Sequence, residues 1–148
     1  MKILNEMKIK FLSKSINESF ARSAAALFIA QLDPDVNELA DIKTAVSEAV
    51  TNCIVHAYIN NMGIIELTVR ILEENEIYIK IKDNGIGIPD IEKAREPLFT
   101  TLPSEERSGL GFSVMESFMD KLSVKSKINK GTTVIMRKKL SVRSEKNV

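Results

Sequence analysis

The apolar residues between Val36 and Asp83 change period once, and that change limits what the chain can fold into. Leu39, Ile42, Val46, Val50, Cys53, Ile54 and Ala57 recur at three- and four-residue steps. That spacing predicts a helix from near Val36 to about Ile59 with one apolar stripe. After the turn residues Asn60, Asn61, Met62 and Gly63 the step falls to two. Ile77, Ile79 and Ile81 face one way while Tyr78, Lys80 and Lys82 face the other. The segments Ile64 to Leu72 and Glu76 to Asp83 therefore read as a hairpin closed by Glu73, Glu74 and Asn75. A one-sided helix and a one-sided sheet bury their apolar faces against each other, in two layers.

The remaining segments extend this plan. A first strand over Lys8 to Ser13 carries Ile9 and Phe11 on one side. Ser15 and Glu18 match a capping box for a helix running to about Leu32, with Phe20, Ala24, Leu27 and Phe28 at helical spacing. Asp33-Pro34 ends that helix. Pro89 to Ser108 is a long connection with Pro97 and Pro103 and a short helix near Ile91 to Arg95. Connections of that length in a compact domain usually serve function. A third helix begins near Gly111, with Val114, Met115, Phe118 and Leu122 on one side. A final hairpin pairs Leu122 to Ile128 with Thr132 to Leu140 through Asn129, Lys130 and Gly131. The expected class is α+β, a two-layer sandwich of about three helices on a mixed, mainly antiparallel sheet.

Composition narrows the function classes. A chain of 148 residues, 44% hydrophobic and 28% charged, is expected to form one globular domain over residues 1–140. The polar stretch SVRSEKNV, residues 141–148, is expected to be a frayed tail. A net charge of +1 with interspersed signs argues against a dominant nucleic-acid footprint and leaves a charged protein partner open. The single cysteine, Cys53, rules out an intrachain disulfide or a multi-thiolate metal site and reads as a small core residue. MKILNEMKIKFLSK contains no apolar run long enough for a signal peptide or membrane span, so a reducing cytoplasm is the expected location.

Four of the six glycines fall in two pairs, Gly85/Gly87 and Gly109/Gly111. In DNGIGIPD, Asp83 at a strand end can accept hydrogen bonds from an exocyclic amine, and Gly85 and Gly87 let a flat ring approach the backbone. A dinucleotide-binding turn would need a third glycine where Asp90 stands, and a parallel βαβ unit. There is no GxxxxGK[ST] loop either. Arg107-Ser108-Gly109-Leu110-Gly111, opening a helix, is a candidate phosphate site through backbone N–H groups and the Arg107 charge. Glu48, Asn52 and His56, four residues apart, share one helical stripe. A solvated polar face would account for that stripe. Equally, the carboxylate could take a hydroxyl proton while the amide oxygen one turn away ligates Mg²⁺. His56 is the only histidine and reads as a surface or capping residue.

The order of these features resembles the Bergerat-fold ATP-binding superfamily: E-x-x-x-N on a helix, D-x-G-x-G after a strand, a lid, G-x-G opening a helix, then Gly131-Thr132-Thr133 on a last strand. The resemblance spans about Ile42 to Val134. SEAVTNCIVHAY, DNGIGIPDIEKAREPLFTT, ERSGLGFSVMESFMD and NKGTTV further resemble the bacterial sporulation anti-sigma-F factors, and NESFARSAAALFIAQLDP extends the likeness outside the ATP motifs. That resemblance implies a dimeric serine-protein kinase that sequesters a sigma factor and phosphorylates an anti-anti-sigma partner with Mg-ATP. By resemblance, Glu48 is the general base, Asn52 the Mg²⁺ ligand and Asp83 the contact for the adenine amine. Gly85 and Gly87 then lie beside the ring, and Thr132 supports Asp83 through a water or hydroxyl contact. Thr100, Thr101, Arg107, Ser108, Gly109, Leu110 and Gly111 would form the lid and phosphate site, and Arg22 would touch both protein partners. Two positions depart from the pattern. Ala57 replaces an expected glycine, and Leu102 replaces a lid lysine, removing a cation near the phosphates. A nucleotide-ordered binding module and an ATPase using Glu48 to activate water are the competing readings.

Overall fold

The computed structural model describes residues 1–96 and 111–142. Its elements are β1 (Ile3–Leu12), α1 (Ile16–Ile29), α2 (Val36–Asn52), β2 (Ile64–Leu72), β3 (Glu76–Asp83), α3 (Ile91–Ala94), α4 (Phe112–Phe118), β4 (Lys121–Lys127) and β5 (Gly131–Lys139). The strands form one sheet in the order β1-β2-β3-β5-β4, antiparallel at each pairing among the described residues. Of the mixed or antiparallel sheets that the sequence allows, the structure takes the antiparallel one.

The helices cover one face of the sheet, with α1 and α4 both packed on α2. Ile77, Ile79 and Ile81 of β3 are buried under them, as the two-residue step predicts. Each such side chain removed from water contributes roughly 1.5–3 kcal/mol. Tyr78, Lys80 and Lys82 alternate with them on the open face, where the Arg70 guanidinium lies 4.8 Å from the centre of the Tyr78 ring.

Three local expectations are corrected. The capping box is not at Ser15, which has helical angles and makes no side-chain cap bond. Glu18 N–H instead bonds the Ser15 carbonyl, and its carboxylate pairs with Arg22. The box forms one helix later: Asp35 accepts from Glu38 N–H at 2.7 Å, and Glu38 accepts from Asp35 N–H at 3.0 Å. On α1 the buried stripe is Ala21, Ala25 and Ile29, while Phe20 and Leu27 are exposed. The small alanines allow α1 to approach α2 closely, and Phe20 packs its ring edge-on against Phe11.

The third correction bears on the site. The second helix is α-helical only to Asn52, and Cys53–Ala57 form a π-turn closed by Tyr58 N–H to the Cys53 carbonyl at 3.2 Å. One extra residue in the turn rotates the side chains beyond Asn52, so His56 points inward. It is 6% exposed, not a surface residue. Single π-turns inside helices commonly mark functional positions.

Candidate active site

A cleft opens between α2, the turn after β3, α4 and β5. Its walls are mostly apolar, with Ala49, Ile86, Ile88, Phe112 and Val134 among them. Asn52, Cys53, His56, Asp83, Gly87 and Thr132 bring polar groups or bare backbone to the same space. An apolar cleft with a few converging polar groups is the usual form of a small-molecule site.

Asp83 is its buried carboxylate, only 5% exposed. Its Oδ1 accepts from Gly85 N–H at 2.9 Å and from Thr132 N–H at 3.2 Å. Its Oδ2 meets only the Cys53 thiol, at 3.5 Å, among the described residues. Burial pushes the Asp83 carboxyl above its ordinary value, against the lowering effect of the bonds from Gly85, Cys53 and Thr132. Burial and the Asp83 charge likewise hold the Cys53 thiol well up, so it stays an S–H donor.

The turn after Asp83 is tied on both sides. Ile86 N–H bonds the Ala57 carbonyl at 3.2 Å, and the Ile86 carbonyl accepts from Asn129 N–H at 2.8 Å. A Cβ on Gly85 would collide with the Ala57 carbonyl and lie 2.7 Å from the Ala57 Cβ. Gly87 has φ +80°, and a Cβ there would meet the Lys127 backbone. Both glycines are thus required by the protein's own packing, and Gly87 also lines the cleft. Thr132 supports Asp83 through its backbone N–H, while its hydroxyl lies 2.8 Å from Ser126 Oγ.

Glu48 sits outside this lining, one turn before Asn52 and against Gly111. Gly111 caps α4 with φ 73°, and the space its Cβ would fill is taken by the Glu48 carboxylate. Glu48 also lines a second groove with Arg22, Ala40, Lys43, Thr44 and Ser47. The structure therefore brings Asn52, Asp83, Gly87 and Thr132 into one cleft and places Glu48 and Gly111 at its edge. Arg22, paired with Glu18, lines the neighbouring groove together with Glu48. Thr100, Thr101, Leu102, Arg107, Ser108, Gly109 and Leu110 lie outside the described residues.

Two contributors were missed in the sequence. Tyr58 Oη accepts from Asn84 N–H at 2.7 Å and donates to the Ile64 carbonyl at 2.8 Å, bracing the Asp83 turn. Its position depends on the π-turn, which the side-chain periodicity does not announce. Ser126 is the other, and an i→i+6 pairing across the last hairpin was its only signal.

A profile of the histidine kinase-like ATPase domain matches residues 14–138. An anti-sigma F factor of Caldanaerobacter subterraneus subsp. tengcongensis is 60% identical over 93% of this chain and 96% of its own length. One from Clostridium perfringens is 56% identical over 93% of this chain and 98% of its own. The chain belongs to the anti-sigma F factor family of histidine kinase-like ATPases. A further member of the anti-sigma F group, from Geobacillus kaustophilus, is 54% identical over 93% of this chain and 94% of its own length.

Solved structures agree on the fold, which is the Bergerat fold. The RsbU and RsbW domains of Rv1364c from Mycobacterium tuberculosis match with TM-score 0.70 at 18% identity, over 93% of this chain and 32% of that one. The catalytic domain of histidine kinase ThkA matches with TM-score 0.58 at 18% identity, over 95% of this chain and 97% of that one. The chain is thus a nucleotide-binding domain of the ATPase and kinase type.

Proposed function

We propose that this protein is an anti-sigma factor that binds a sigma factor of the F type and uses Mg-ATP to phosphorylate a serine of an anti-anti-sigma partner. The observation that carries the nucleotide reading is the Asp83 carboxylate. One oxygen is held by two backbone N–H groups, and the other stands at the floor of an apolar cleft, where the Cys53 thiol is its only partner among the described residues. Such a floor suits a flat base that presents an exocyclic amine.

The chain's own groups suit a kinase cycle. Asn52 offers one hard oxygen at the cleft wall, and its Nδ2 is buried without a hydrogen-bond partner among the described residues, an opening for a polar ligand. No cluster of three or more His, Cys, Asp or Glu able to hold a metal occurs among the described residues. A single amide ligand fits Mg²⁺, which keeps several waters and takes its other contacts from phosphates. When bound, the ion supplies charge neutralisation at the phosphoryl group. Glu48 then orients the acceptor serine and takes its hydroxyl proton as the serine oxygen bonds the γ-phosphorus and ADP leaves. Phosphate binding is assigned to Thr100, Thr101, Arg107, Ser108, Gly109, Leu110 and Gly111.

Arg22 is the contact for both protein partners, because the groove it lines leads to Glu48. The working species is a cytoplasmic homodimer of one domain over residues 1–140, with residues 141–148 a tail. The relatives named anti-sigma F factors support this reading at 54% to 60% identity.

The test incubates the protein with labelled ATP, Mg²⁺ and a candidate anti-anti-sigma protein, then locates the phosphate. Label on a partner serine is expected, and Glu48→Gln should abolish it while ATP binding and sigma capture persist. Wild-type protein that captures sigma with ATP yet never labels the partner would establish the binding-module alternative. Arg22→Glu should weaken pull-down of the sigma factor at unchanged ATP affinity. Unchanged pull-down removes Arg22 from the interface.

A further inference from the structure

The open face of the sheet, turned away from the helices and the cleft, gathers charge that is scattered along the chain. Register sets Lys82, Thr133 and Lys125 in one row across β3, β5 and β4, and Lys80, Ile135 and Ser123 in the next. Lys121 and Lys127 are exposed on β4 at the same alternate positions as Lys125. β5 therefore forms a neutral floor, Thr133 and Ile135, between a lysine rail on β3 and another on β4. None of these five lysines has an ion-pair partner among the described residues. On the β1 and β2 side the bases are paired, Lys8 and Lys10 with Glu66 and Arg70 with Glu6. The Arg137–Glu76 pair closes one end of the floor. The whole chain has a net charge of only +1, so this face is positive by concentration and not by excess.

The spacing limits what could neutralise it. Two strand intervals separate the rails by roughly 10 Å, and lysines two residues apart in one rail stand roughly 6.5–7 Å apart. An extended peptide laid along the floor sends alternate side chains to either side, and those on one side repeat at the same roughly 6.5–7 Å. Acidic side chains on such a peptide would meet both rails in step. β5 is paired on both edges, so recognition would run through side chains and not through an added strand. A single-stranded nucleic acid fits less well, because such sites stack bases on open aromatic rings. Tyr78 is the one aromatic side chain on this face among the described residues, and the Arg70 guanidinium already lies 4.8 Å from its ring centre.

We propose that the trough along β5 is a docking surface for an extended acidic segment of a partner protein. Lys80 and Lys82 hold one side of the segment, and Lys121, Lys125 and Lys127 hold the other. The contact lies on the opposite side of the sheet from the nucleotide cleft.

The test follows the fluorescence anisotropy of a labelled oligoglutamate peptide, with a labelled oligothymidylate in parallel. Wild-type protein should bind the oligoglutamate at low salt and release it near 1 M salt, where the screening length falls to about 3 Å. Lys82→Glu/Lys125→Glu should weaken binding about tenfold or more, as several exposed charge contacts are lost and reversed. Lys2→Glu/Lys14→Glu makes the same change in net charge at exposed positions off this face and should weaken binding far less. Equal weakening by the two double variants overturns the proposal, because net charge alone would then attract the peptide. Oligothymidylate bound as tightly as oligoglutamate overturns it in favour of a nucleic-acid surface. Absence of oligoglutamate binding at low salt overturns it outright. Thermal unfolding checks that each variant is folded. If the reversed pair is not, Lys82→Gln/Lys125→Gln should give a smaller loss in the same direction, and unchanged affinity there is equally fatal.

Discussion

Glu48 and Gly111 are matched to each other. Gly111 turns the chain into α4 with φ 73°, and the volume a side chain would need is filled by the Glu48 carboxylate, whose Cδ lies 3.1 Å from the ideal Cβ position. The residue proposed as base is thereby packed against the start of α4.

Gly111→Ala should act twice. A left-handed alanine costs about 1–2 kcal/mol, and the new methyl displaces Glu48. A lowered denaturation midpoint is expected, together with a fall in phosphoryl transfer of tenfold or more and little change in ATP affinity. Wild-type transfer rates in a folded Gly111→Ala protein would show that Glu48 does not need this placement.

Asp83 sets the pH dependence. Burial raises its carboxyl above the ordinary 3.8 in the folded protein. Its contribution to stability is therefore complete below pH 3.8 and lost as pH rises through the folded value. Nucleotide binding runs the other way, since an amine needs the ionised acceptor. ATP affinity should fall on acidification with a midpoint above pH 3.8. Asp83→Asn should weaken ATP at neutral pH by tenfold or more, the scale of a hydrogen bond to a charged group, and lack that acid step. Equal ATP affinity in calorimetry would sink the assignment.

Gly85→Ala tests the turn without touching Glu48 or Gly111. Its methyl would press on the Ala57 carbonyl and Cβ at the end of the π-turn. A destabilisation of about 1–3 kcal/mol is expected from overpacking. Thermal unfolding reads it directly, and an unshifted midpoint means the turn can move aside.

Glu38 ties the start of α2 to Ser141 just beyond β5, accepting from Ser141 N–H at 2.8 Å and Ser141 Oγ at 3.0 Å as well as capping Asp35. Slight burial raises its carboxyl, but the bonds from Asp35 and Ser141 outweigh this and leave it below the ordinary 4.5. A lowered carboxyl stabilises the fold above pH 4.5 and loses that contribution as pH falls through the folded value. Glu38→Ala should cost about 0.5–2 kcal/mol at neutral pH, as for loss of a helix cap. The difference from wild type should shrink in acid. A constant difference across pH would assign the loss to packing.

Much of the architecture was legible in local pattern. β2 and β3 have the bounds predicted from the two-residue step, and Asp83 stands at the strand end where DNGIGIPD begins. The Glu48/Asn52 spacing and the glycine pairs were read as parts of one site, and of these Asn52 and Gly87 line the cleft. These signals are short-ranged: an alternating backbone exposes alternate residues whatever surrounds it. Tertiary structure decided the rest. The π-turn rotated His56 inward and brought Ala57 onto Gly85, the β4–β5 register set Ser126 beside Thr132, and helix packing joined Arg22 to the Glu48 groove. Each depends on contacts between residues far apart in the chain, where one position of register or one extra residue in a turn changes which side chains meet.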